Sequence, residues 1–172
     1  MQLILIELNE VNFEYAEKYF DKLNIDTIKK IRENSIYTES ENSDELLEPW
    51  IQWHSIHTGL SADEHKVFRL GDAIYSDKKQ IFEELEDHKL KVGSISSMNV
   101  INKLKKPCYF IPDPWTDTKS DNSYFSKITT KILKDAVNNN ASGKISFLNY
   151  FYLILIFFKF VRIKKYFFFI NY

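Results

Sequence analysis

An α/β fold with a mostly parallel sheet is predicted by three features of the chain. A short continuous apolar run opens it, apolar residues at helical spacing follow, and a second β-like run near residue 90 comes after another helical pattern. The expected architecture is a three-layer sandwich with a mostly parallel central sheet over residues 1–143, followed by an aromatic and basic helical tail over 144–172.

The first strand is expected over residues 3–8, because Leu3-Ile4-Leu5-Ile6 is the unbroken apolar run of a strand covered on both faces. Phe13, Ala16, Phe20 and Leu23 then recur along one helix face, with Tyr19 beside it. Asp26 is placed to cap a second helix carrying Ile28 and Ile31. Residues 35–39 suit a short strand. Pro49 suits a helix start, and Gly59 closes that helix after His57. Lys78–His88 predicts a helix with Ile81, Phe82 and Leu85 inward, and residues 90–96 predict a strand with Ser97-Met98-Asn99 at its carboxyl end. Cys108–Trp115 contains two prolines and reads as extended chain or loop. Asn122 or Ser123 suits the cap of a helix with Phe125, Ile128, Ile132 and Leu133 inward, broken by Asn138-Asn139-Asn140 and Gly143. The segment 146–172 has no proline or glycine and predicts a helix.

Composition removes several function classes. Lys and Arg number 23 against 24 Asp and Glu, so no overall positive field points to nucleic acid. Cys108 is the single cysteine, which excludes an intramolecular disulfide and a cysteine-based zinc cage. No glycine-rich phosphate loop is present. The N-terminal run lacks the basic flank and the small-residue cleavage site of a signal peptide, so a cytoplasmic location is expected. No acidic side chain follows Asp135, and the tail mixes Phe and Tyr with cations. Its apolar run Phe151–Phe158 is far shorter than the roughly 18–20 residues of a membrane span. The tail is expected either to pack on further protein or to lie at a membrane surface, so peripheral membrane contact is one of its two readings.

In open α/β sheets ligands bind beyond the carboxyl ends of the strands. Two polar clusters are placed to fall there. One is Asn9-Glu10-Val11-Asn12, and the other runs from Glu48 through Trp50, Gln52, His54, Ser55 and His57 to Gly59, with Glu64-His65 after it. Carboxylate, amide and imidazole groups can hold a divalent metal or orient a water. Each also has a plainer role. Asn9 and Glu10 suit a helix cap, Trp50 and Trp53 at i, i+3 suit core packing, and His65 suits a bonded loop histidine. Asp113 and Asp117 suit turns.

The run Ser55-Ile56-His57-Thr58-Gly59-Leu60-Ser61 with His65 four residues on, together with the opening strand that ends at Asn9-Glu10, resembles the N-terminal part of the alkaline phosphatase superfamily. The likeness is to its type I phosphodiesterase and sulfatase-like branch and covers roughly residues 3–100. It implies the N-terminal half of that family's sandwich, hence an incomplete core, and a metal-dependent hydrolase or phospho-group transferase acting on phosphate or sulfate esters. It implies a divalent metal (Zn, Mn or Mg) near Asn9 and Glu10, Glu48 in the catalytic position, and Trp50, Gln52 and His65 against substrate. The chain also departs from the pattern. The family's nucleophile falls on Pro49, which has no nucleophilic atom, its metal-binding Asp falls on Asn9, and no histidine follows His88. The resemblance therefore implies either a shortened member of the family or a non-catalytic one with a binding role or none.

Overall fold

A computed structural model describes residues 3–22, 46–139 and 146–161, with a few positions between 30 and 38. The chain divides into two compact units, Met1–Pro49 and Trp50–Tyr172.

In the first unit, helix α1 spans Phe13–Lys22. Its cap is Asn12, whose Oδ1 accepts the Tyr15 backbone N–H at 3.1 Å. The strand expected over 3–8 is not formed. Leu3, Ile4, Leu5, Ile6 and Leu8 are exposed and in no regular element, and Asn9-Glu10 make a turn with Glu10 at φ 55°. A strand is stable only where a neighbour takes up its backbone N–H and C=O groups, and among the described residues no ladder to this run is formed. Lys30, Ile31 and Glu33 are helical, but Ile31 faces solvent. Most of the helix expected after Asp26 lies outside the described residues. Of the strand expected over 35–39, Ser35, Ile36 and Thr38 are described and are not in a strand.

The second unit is mixed α/β. Helix α2 spans Pro49–Thr58 and ends at Gly59, whose φ of +68° is a left-handed conformation that glycine adopts without strain. A one-turn helix α3, Ala62–His65, and a 3-10 turn, Asp72–Tyr75, precede α4, Ile81–Asp87. Gln80 caps α4, with the Glu83 carboxylate accepting its backbone N–H at 2.7 Å. Strands β1, Gly93–Ile95, and β2, Tyr109–Ile111, pair in parallel with Ser94 opposite Phe110. Helix α5 spans Tyr124–Asn138 and packs on β2, and α6, Phe147–Phe160, packs on α5. Ser123 is the cap of α5, its hydroxyl accepting from the Ser126 N–H.

Phe82, Val92, Val100 and Phe110 form the core, with Leu85 and Leu104 against it. Ile81, expected inward, is 37% exposed at the first turn of α4, while Phe82 is buried and Leu85 packs partly buried against the core. The Cys108–Trp115 segment contains a strand because its two prolines, Pro112 and Pro114, follow the ladder and Pro107 precedes it, which leaves the ladder's donors intact. The outer edge of β2 is closed by Asp121. Its N–H donates to the Phe110 carbonyl at 3.2 Å, and its carboxylate accepts the Phe110 N–H at 2.6 Å. The same carboxylate accepts the Ser123 N–H and the Ser126 hydroxyl, both at 2.7 Å. Partial burial raises its pKa, but these bonds outweigh that and hold it below the ordinary Asp value. Replacing Asp121 with alanine therefore leaves the Phe110 N–H, the Ser123 N–H and the Ser126 hydroxyl without this acceptor. A loss of about 2 kcal/mol in urea unfolding is expected, and a loss near zero would show that water replaces the carboxylate.

Candidate functional site

Helix α2 turns Ile51, His54 and His57 inward, so two of its three buried residues are imidazoles. Buried polar groups persist only with partners, and the partners fix each ring's tautomer. His54, fully buried, lies 3.2 Å through Nδ1 from the Asn99 carbonyl. A carbonyl can only accept, so Nδ1 carries the proton. Its Nε2, 3.3 Å from Ser76 Oγ, is then the acceptor of the serine hydroxyl. Burial pushes the His54 pKa down to about 4, against the opposing Asn99 bond, and the nearby charges of His65, His57 and Lys103 push the same way. His65 is set the other way round. Its Nδ1 accepts the Val67 N–H at 3.0 Å, so Nε2 carries the proton and donates to Ser55 Oγ at 2.9 Å. Burial lowers its pKa as well, with Glu64 opposing. The two rings meet edge-on, centroids 4.9 Å apart.

Asn99 joins these parts. It follows β1 with φ 56°, a conformation that asparagine tolerates better than most residues, and it is fully buried. Its Oδ1 accepts the Gly71 N–H at 3.0 Å and the Ala73 N–H at 3.4 Å, while Nδ2 donates to the carbonyls of Trp50 at 3.0 Å and Arg69 at 3.4 Å. Its own N–H donates to Asp113 Oδ2 at 3.1 Å. Asp113, directly after β2 and Pro112, accepts the Trp115 and Thr116 N–H groups on Oδ1, both at 2.9 Å, which is the turn role expected of it. Lys103 closes the arrangement by donating to the Ser76 and Lys78 carbonyls at 2.7 and 3.0 Å. The network therefore sits at the carboxyl ends of β1 and β2, where open α/β sheets present their ligand-binding loops. Beside it, the Glu64–Val67 turn and the Asp72–Lys78 segment enclose a cleft of ≈ 300 Å³, with His65 and Ser76 in its wall.

Trp50 and His65, expected against substrate, both join this network. The Trp50 indole donates to the Phe68 carbonyl at 3.1 Å and its own carbonyl holds Asn99, so both polar groups are engaged within the unit. Gln52 lies half-buried on α2. Trp53 stacks on His57, centroids 5.9 Å apart, in line with a packing role. Asn9 and Glu10, expected to hold metal, and Glu48, expected to be catalytic, are exposed residues of the first unit. The cap of α1 that Asn9 and Glu10 were candidates for is supplied by Asn12. Asn99, Ser76 and Lys103 are the participants that residue patterns did not single out as a site. The one available signal was the position of Asn99 at the end of a predicted strand.

Among the described residues, no group of three His, Cys, Asp or Glu side chains is placed to hold a metal ion. The donor chemistry explains this. The lone pair of His65 is engaged by the Val67 N–H, that of His54 by Ser76, and the Asp113 carboxylate by three backbone N–H groups. These three residues do not fit a divalent ion, and the one implied by the resemblance was assigned to Asn9 and Glu10 of the first unit instead. Comparison of the chain with protein-family models, curated proteins and solved structures finds no match.

Proposed function

We propose that this chain carries the scaffold of a phosphate- or sulfate-ester hydrolase of the alkaline-phosphatase type, and that by itself it is catalytically silent. The scaffold half of the reading is supported by the parallel pair β1–β2 and by the polar loops that gather at its carboxyl end. In this reading the full three-layer sandwich, and any metal-dependent hydrolase or transferase chemistry, belongs to relatives that retain the nucleophile and the distal ligands.

The silent half rests on one observation, the Val67 N–H donating to His65 Nδ1 at 3.0 Å, which leaves the ring's proton on Nε2. A serine is activated when a base accepts its proton, whereas Ser55 sits opposite a nitrogen that already donates to it. To act as a base, His65 would have to give up the Val67 N–H, leaving a buried donor unpaired at about 1–3 kcal/mol. The other position open to a nucleophile is Pro49, which offers no nucleophilic atom. The expected result is no turnover of an aryl phosphate diester or an aryl sulfate above the buffer rate, with or without added Mn²⁺ or Zn²⁺. Metal-dependent turnover that EDTA abolishes would overturn the reading.

A further inference from the structure

Ser55 and Ser76 are both half-buried serines bonded to a histidine, and the two bonds run in opposite directions. At Ser55 the imidazole of His65 donates. At Ser76 the imidazole of His54 accepts, because its one proton is held on Nδ1 by the Asn99 carbonyl. A hydroxyl opposite an accepting imidazole, with the ring oriented by a third group, is the geometry of an activated nucleophile. Ser76 is also pinned in place. Its N–H donates to the Ala73 carbonyl at 3.0 Å, and its carbonyl accepts from Lys103 Nζ at 2.7 Å. Its Oγ accepts the Lys78 N–H at 3.3 Å, which favours negative charge on that oxygen and leaves its second lone pair for a reacting carbon. The residue stands in the wall of the ≈ 300 Å³ cleft.

We propose that Ser76 is a covalent acceptor for a small activated carboxylic ester, with His54 as its base. Charge in the cleft selects this class. Glu64, Asp72 and Asp77 line it against Lys66 and Lys78. Carboxylates outnumber ammonium groups there, which disfavours anionic phosphate and sulfate esters and leaves a neutral acyl ester unopposed. The volume is at the small end for ligand pockets, so it suits a short acyl group. In the step, Oγ forms a bond to the ester carbonyl carbon while its proton passes to His54 Nε2. The bond from that carbon to the leaving oxygen then breaks. The leaving oxygen keeps the electron pair and takes the proton from Nε2, so His54 returns neutral and Ser76 carries the acyl group. An activated ester brings a good leaving group, whereas the serine ester that results has a poor one. One acyl group is therefore taken up per chain without turnover. The inference goes beyond the silent-scaffold reading, which concerns turnover of phosphate and sulfate esters.

Incubation of the full chain with p-nitrophenyl acetate at neutral pH, followed by peptide mass spectrometry, decides it. Ser76 is expected to gain acetyl at least about tenfold faster than Ser55, the matched serine that faces a donor instead of an acceptor. His54→Gln should slow acetylation of Ser76 by at least about tenfold and leave the rate at Ser55 unchanged. If that variant loses its fold by far-UV circular dichroism, the ratio of Ser76 to Ser55 in the unaltered chain still decides. Equal labelling of the two serines overturns the proposal. So does labelling of Ser76 that is undiminished in a folded His54→Gln chain, because the ring would then take no proton from it. Metal-dependent turnover of an aryl phosphate would instead overturn the silent-scaffold reading alone, so the two failures are distinguishable.

Discussion

Replacing Asn99 with alanine is expected to cost on the order of 4–5 kcal/mol, enough to leave the second unit largely unfolded at room temperature. The side chain serves two N–H groups and two carbonyls drawn from the α2 start and the 69–73 loop. The Ala73 N–H is buried and the Gly71 N–H and Trp50 carbonyl are half-buried, whereas the exposed Arg69 keeps a second bond from the Asp72 N–H, so the loss falls mainly on the first three. The backbone adds to the loss, because an alanine held at a φ of 56° is strained where asparagine is not. Two further variants separate these contributions. Asn99→Gly relieves the backbone but loses the same side-chain bonds, so it should recover only about 1 kcal/mol. Asn99→Asp retains an acceptor for Gly71 and Ala73, loses the donors to Trp50 and Arg69, and places a charge near Asp113. It should therefore destabilise by an intermediate amount. Urea unfolding at neutral pH measures all three, and a loss under 1 kcal/mol for alanine would mean that the network is not what joins α2 to the strand ends.

Helices were the most legible part of the sequence, because their signals are local. Pro49 and Gly59 bound α2, Ser123 and the Asn138-Asn139-Asn140 run bound α5, and the apolar spacing of Phe82 and Leu85 placed the inner side of α4. Strands were read less well, since a strand is stable only through its neighbours. The apolar run at 3–8 carries a stronger strand signal than Tyr109–Ile111, yet only the latter has a ladder partner on one edge and Asp121 on the other. The prolines around β2 hid it from a pattern-based reading, although at its two ends they remove no bond the ladder needs.

The candidate site was legible only in outline. His54, His57 and His65 drew notice as a cluster, and the structure does turn all three into the interior. Their protonation could not be read from spacing, because it is set by remote backbone groups: the Asn99 carbonyl for His54 and the Val67 N–H for His65. The same applies to Asn99 itself, whose side chain links residues 28 and 49 positions away. The likeness to a hydrolase family directed attention to Asn9, Glu10 and Glu48 in the first unit. The buried polar centre around Asn99 lies instead in the second.

Acid sensitivity set by His54 is the remaining test of that centre. Its folded pKa of about 4 lies below the ordinary 6.5, so the unfolded chain takes up a proton that the folded chain refuses. Stability from this ring is fully present above pH 6.5, declines as pH falls from about 6.5 to about 4, and is lost below that. The shift corresponds to on the order of 3 kcal/mol. His65, lowered by burial, acts in the same direction. Glu83, whose pKa burial raises, acts in the opposite one. The ordinary carboxylates enter only near pH 4 and below, which leaves a window of about two units dominated by histidine. Urea midpoints measured at half-unit steps from pH 7.5 to about 4.5 should fall steadily through that window. His54→Gln supplies a donor toward Asn99 without a titratable ring, so it should be less stable at pH 7 but show a flatter pH dependence. If the wild-type midpoint stays level across the window, or if His54→Gln falls as steeply, the ring is not held neutral by its burial and the tautomer assigned to it is wrong.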